Sequence, residues 1–158
     1  MTPVDAPPTL VLSNTYELRV PERANQSAST PWAKRPIRIQ VESPAAPWLR
    51  EAIAEIQELT SLRADWDTYA ASPIQATSAT EAVLFLVDNA HADIAMPAVV
   101  PLRNGGVQLE WHRGGLDLEV SFSNEGSLVY FEDGAETVEA PSSEASDLIR
   151  AHRQRLSA

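Results

Sequence analysis

Near Pro97 the side-chain rhythm of this chain changes: from Ala46 to that point apolar residues recur every three or four positions, and from there to Phe131 every second position. Leu49, Ile53, Ile56, Leu59 and Leu62 fall on one face of a helix predicted over Ala46 to Arg63, with Ser43 as its cap and Pro44 and Pro47 confined to the first turn. A second helix is predicted over Thr77 to Ala90, where Ala79, Val83, Leu86 and Ala90 form a stripe widened by Ala82 and Phe85. Its start is marked by Ser78 with Glu81 three residues on, the spacing of a capping box that satisfies two orphan amides.

Past Pro97, Val99 and Val100 enter a strand that ends in Asn104, Gly105 and Gly106, residues suited to positive-φ turns. Val107, Leu109 and Trp111 then alternate with Gln108, Glu110 and His112; after Gly114 and Gly115, Leu116, Leu118, Val120 and Phe122 alternate with Asp117, Glu119 and Ser121. Asn124, Glu125 and Gly126 turn the chain into Leu128 to Phe131. The pattern predicts four antiparallel strands joined by tight turns, with one apolar face that the helices must cover. Residues from Asp133 to Ser143 read as an acidic, turn-prone stretch, and a last helix is predicted over Glu144 to Leu156, with Arg150, Arg153 and Arg155 placed to complement its C-terminal dipole.

At the start, Tyr16, Leu18 and Val20, and later Ile37, Ile39 and Val41, alternate with polar neighbours as two short strands that would pair as a hairpin or extend the main sheet. The run from Ala24 to Thr30 lacks either period and reads as a mobile linker, and Met1 to Leu12 reads as a frayed arm without signal-peptide character. The organisation expected is an arm over residues 1–44 and an α+β domain over 45–158, in which a β-meander packs against two or three helices. At 158 residues one core suffices.

Charge sharpens the picture. The net value is −10, and residues 105–147 alone hold ten acidic side chains against one basic, a net of −9. Such a surface repels phosphate backbones and releases no counterions on meeting them, so independent nucleic-acid binding is not expected. A basic protein is the natural complement. The absence of cysteine excludes disulfides, thiolate metal ligands and thiol nucleophiles. The longest apolar run, Ala82 to Val87, is far short of a membrane span, and a cytoplasmic location is the default expectation.

Three groups of residues are candidates for chemistry. Asp65, Trp66, Asp67 and Tyr69 set two carboxylates beside two aromatic rings, a combination that grips Arg or Lys. The plainer reading of this loop is an anchor in which Trp66 and Tyr69 fill the gap between helices and sheet while Asp67 binds loop amides. Glu110 and His112 share a strand face opposite Leu109 and Trp111, the spacing of an acid–base pair, but the pattern supplies no pocket to shift a pKa and leaves them as surface polar residues. Glu125, Glu132, Asp133, Glu136, Glu139 and Glu144 supply an acidic rim without calcium-loop spacing. His91 with Asp93, and His152, lack further ligands at metal spacing, and with 3 histidines in the chain no transition-metal site is expected; no nucleotide-binding or nucleophile-elbow motif is present, and no cofactor is expected.

Two motifs stand out as a pair. Trp66, Asp67, Tyr69, Ala71 and Pro73 spell W-D-x-Y-x-A-x-P, and Gly105 to Trp111 spell G-G-V-Q-L-E-W. Together, over Ala46 to Phe131, they resemble a family of small bacterial proteins whose loop reads W-D-G-Y, with glycine where this chain has Thr68. The resemblance implies an α+β fold and an association with toxin–antitoxin or phage-defence systems.

The function expected is therefore a non-enzymatic binding module, an antitoxin, immunity or chaperone-like adaptor. Asp65, Trp66, Asp67, Tyr69, Glu110, Glu119, Glu132, Asp133 and Glu136 would contact a basic partner. One alternative is a small-ligand binder or hydrolase with Trp66, Asp67, Glu110, Trp111 and His112 around a pocket beside the sheet. Another is a homodimer formed through an exposed strand edge.

Overall fold

The computed structural model describes residues 14–18, 37–41 and 46–157. Strands β1 (Asn14–Leu18) and β2 (Ile37–Val41) pair with each other as an antiparallel two-stranded sheet, which selects the hairpin among the two arrangements the alternation allowed. The expected linker Ala24 to Thr30, the arm Met1 to Leu12 and the Ser43 cap lie outside the described residues.

Helix α1 (Leu49–Leu59) buries Leu49, Ala52, Ile53 and Ile56. It is shorter than the pattern predicts, because Pro47 precedes its first turn and hydroxyls close its last. Thr60 Oγ1 donates to the Gln57 carbonyl at 2.6 Å and Ser61 Oγ to that of Glu58 at 2.7 Å, satisfying acceptors that a continuing helix would use. Helix α2 (Ala76–Asn89) starts earlier than the capping-box spacing implies. The capping residue is Gln75, in extended conformation, and Ser78 is turned into the core with its hydroxyl unpaired. Glu81 instead accepts a hydrogen bond from Ser127 Oγ at 2.9 Å. Core burial of the small Ser78 side chain outweighed its capping chemistry.

Five strands, not four, make the meander: β3 (Ala98–Pro101), β4 (Val107–Arg113), β5 (Leu116–Ser123), β6 (Gly126–Asp133) and β7 (Glu136–Pro141), each paired antiparallel with its chain neighbour. The added β7 falls in the stretch read as acidic and turn-prone. Its signal was Asp133-Gly134, a favoured hairpin dipeptide, and Gly134 does adopt φ +61. As an edge strand it carries only Val138 and Ala140 half-buried, so carboxylates mask its alternation.

The inward face of the sheet, with Val107, Leu109, Trp111, Leu116, Leu118, Val120, Phe122, Val129 and Phe131, packs into one core with α1, α2 and Ile149 of α3 (Ala145–Ala151). Helix α3 ends at Ala151, so Arg153 and Arg155 lie beyond its last turn. Their work is clamping: Arg153 grips Asp93 through two hydrogen bonds of 2.5 and 2.6 Å, and Arg155 pairs with Asp133 and donates to the Gly114 carbonyl at 2.8 Å. The segment Ile94–Ala95 is fastened from three sides, by Trp48 Nε1 to the Ile94 carbonyl at 2.6 Å, Trp111 Nε1 to that of Ala95 at 2.8 Å, and the Ala95 amide to Leu156 at 2.8 Å.

Candidate functional site

Because side chains alternate across a strand, the register fixes which polar residues meet on the outward face. One row across the sheet is Ala98, Glu110, Glu119, Tyr130 and Glu139; the next is His112, Asp117, Glu132 and Thr137; on the other side lie Val100, Gln108, Ser121, Leu128 and Pro141. None of these side chains is buried. Five carboxylates thus occupy two adjoining rows, and His112 is the one side chain among these fourteen able to carry positive charge.

The carboxylates are organised by hydrogen bonds. Glu110 and Glu119 stand directly opposite each other on neighbouring strands, an arrangement that costs stability for like charges. Gln108 Nε2 relieves it by donating to both, at 2.8 Å to Glu110 and 3.0 Å to Glu119. The His112 ring lies between two carboxylates, Nδ1 at 2.8 Å from Asp117 and Nε2 at 3.0 Å from Glu110. Those hydrogen bonds, to Asp117 first and Glu110 second, favour the charged imidazolium and raise its pKa against the lesser effect of burial. The Tyr130 hydroxyl donates to Glu132 at 2.5 Å, and this bond, with burial and the negative charge of Glu132, Glu119 and Asp117, raises its pKa.

The second motif-bearing region is the loop between α1 and α2. Burial by itself would raise the Asp67 pKa, but its Oδ1 accepts from the amides of Tyr69 at 2.8 Å and Ala71 at 3.1 Å, and Arg103 Nε lies 2.7 Å from Oδ2; together these lower it. Trp66 Nε1 donates to Ser72 at 3.1 Å, and Asp65 Oδ1 accepts from Ala70 at 2.7 Å. Arg103 also donates to the Tyr69 carbonyl and lies over its ring, 5.7 Å from the centroid. Asp67 therefore binds loop amides as expected. Tyr69 does not fill an internal gap: it is 73% exposed.

Of the residues singled out from sequence, the fold gathers Glu110, Glu119 and Glu132 on the outward face and Asp65, Trp66, Asp67 and Tyr69 in the loop. Asp133 and Glu136 face each other where β6 turns into β7, in the alternation phase of the inward residues, and Asp133 is held by Arg155, which lowers its pKa. The five side chains proposed to surround a pocket do not converge. Trp111 is buried on the inward face, opposite Glu110 and His112, while Asp67 is tied to Arg103 in the turn before β4, beyond the roughly 17 Å that separate Val107 from His112 along a strand rising about 3.3 Å per residue. Gln108, Asp117 and Tyr130 join the outward cluster without having been singled out. Their signal is cross-strand register, which spacing along one strand does not reveal.

Comparison with known proteins returns no matching family model, no matching curated protein and no matching solved structure. No helix among the described residues is long and apolar enough to cross a membrane.

Proposed function

We propose that this chain is a protein-binding module that engages a basic partner through the outward face of its sheet, in the manner of an antitoxin, immunity protein or adaptor. The observation that carries the reading is the pair of adjoining rows holding Glu110, Asp117, Glu119, Glu132 and Glu139 around Tyr130. Carboxylates on a rigid sheet attract Lys and Arg at long range and fix register at contact, while Tyr130 and the exposed Leu128 offer the apolar area that such recognition needs. The motif resemblance agrees with this class of function.

A photo-crosslinking amino acid placed at Ser121 on this face, and separately at Leu84 on α2, tests the reading in the source cell. An adduct is expected from Ser121 alone, and it should fall about tenfold or more with Glu119→Lys/Glu139→Lys or at 0.5 M salt, as screening of exposed charges requires. Equal adducts from both positions, or an adduct indifferent to charge reversal and salt, would sink the proposal.

A further inference from the structure

On the outward face, the side chains of Glu110, His112 and Glu119 each present a donor atom, and all three atoms lie within 4.8 Å of one another. Among the described residues this is the one such triplet found. We propose that Glu110, His112 and Glu119 form a binding site for a divalent first-row transition ion of the zinc class.

The donor set separates this from a diffuse acidic patch. Carboxylates alone suit hard cations such as calcium and magnesium, whereas an imidazole nitrogen with two carboxylates suits zinc and its neighbours. Zinc bonds of about 2.0–2.1 Å place tetrahedral ligands roughly 3.4 Å apart. His112 Nε2 and Glu110 Oε2, at 3.0 Å, already stand near that spacing. Glu119 completes the set with a carboxylate oxygen within 4.8 Å of both. Three protein ligands leave a fourth position for water or a partner's side chain.

The surroundings match those of a metal-bound histidine. Asp117 does not belong to the triplet, yet its carboxylate holds His112 Nδ1 at 2.8 Å. That bond makes Nδ1 the donor and turns Nε2 toward the glutamates, the carboxylate–histidine–metal arrangement. Gln108 gathers the two glutamates by donating to both. The direct opposition of Glu110 and Glu119, unfavourable without a cation, becomes favourable with one. The site lies in the face proposed to meet a partner but does not rest on that reading.

Titration of chelator-treated full-length protein with Zn2+ alone, by calorimetry and by NMR of the imidazole resonances, tests the inference. One equivalent should bind, with the His112 signals shifting and those of His91 and His152 unmoved. His112→Ala and Glu119→Gln should each weaken binding by tenfold or more. Asp117→Asn should weaken it by about tenfold, the lower end of losses seen when such orienting partners are removed. His91→Ala should change nothing, and far-UV circular dichroism should show every variant folded. Failure to bind Zn2+, binding of several ions that survives His112→Ala, or displacement of Zn2+ by equimolar Ca2+ would each overturn the assignment.

Discussion

Thr68 occupies the left-handed region at φ +61, with Asp65 at +63 and Ala70 at +64 on either side. A β-branched residue pays for this conformation in steric clash, and three non-glycine residues with positive φ in one short loop persist only where surrounding bonds over-determine them. Here they do: Asp65 and Asp67 accept four backbone or guanidinium bonds among them, and Trp66 adds another. A positive φ is the conformation that glycine adopts without steric cost, so the chain keeps a glycine conformation without the glycine. Thr68→Gly is expected to stabilise the protein by about 0.5–1 kcal/mol, the left-handed penalty removed less the entropy that glycine adds to the unfolded chain. Urea unfolding with an unchanged m-value checks it. The amide-binding role of Asp67 was legible from its residue type and setting. Arg103 was not, since its partner lies 36 positions away in the chain and only folding makes them neighbours.

At the scale of elements, the two motifs that occur as a pair in the sequence prove to be in contact. The Ser72 amide donates to the Arg103 carbonyl at 2.8 Å and the Gln75 amide to that of Gly105 at 2.9 Å, so the loop before α2 is stitched to the turn that opens β4. Gly105 adopts φ +85, and a Cβ there would stand 2.8 Å from the Pro73 carbonyl oxygen. Gly105→Ala is therefore expected to destabilise by about 2 kcal/mol or more, through backbone strain and through separation of loop from turn, measured as a fall in the urea midpoint. The strands with one buried and one wet face were legible from alternation, because residues such as Leu116, Leu118 and Val120 meet a core on one side only. Strand β7 and the true start of α2 were hidden where tertiary placement overruled local chemistry: an edge strand loaded with carboxylates reads as a loop, and Ser78 reads as a cap until the core claims it.

Across the whole molecule, ionisation divides stability into two pH regimes. Asp67, Asp93 and Asp133 have pKa values below the ordinary carboxylate range, lowered by amides and Arg103, by Arg153 and by Arg155 respectively. Groups of this kind contribute stability above their unfolded pKa of about 3.9 and lose it as pH falls through the folded value. His112 runs the other way: its raised pKa gives a contribution complete below about pH 6.5 that disappears as pH rises through the folded value. In the presence of chelator, the urea midpoint should peak between about pH 5 and 6.5, fall steeply below about pH 4, and decline gently on the alkaline side. His112→Asn should flatten the alkaline limb and leave the acid limb in place. An alkaline limb unaltered in that variant would show that the cluster of Glu110, His112 and Asp117 contributes nothing to pH-dependent stability.

Every strand from β3 to β7 hydrogen-bonds only to the strands beside it in sequence, through connections of a few residues. Loops this short cost little chain entropy to close, so the sheet can zip from neighbour to neighbour before any distant segment arrives. Its greasy underside is covered by α1 and α2, which pack on each other and on β3, β4 and β5 and are made earlier by the ribosome. With those helices already synthesised when β3 to β5 emerge, each new strand meets both a hydrogen-bonding neighbour and an apolar cover, so the wiring exposes little unpaired edge or core at any stage.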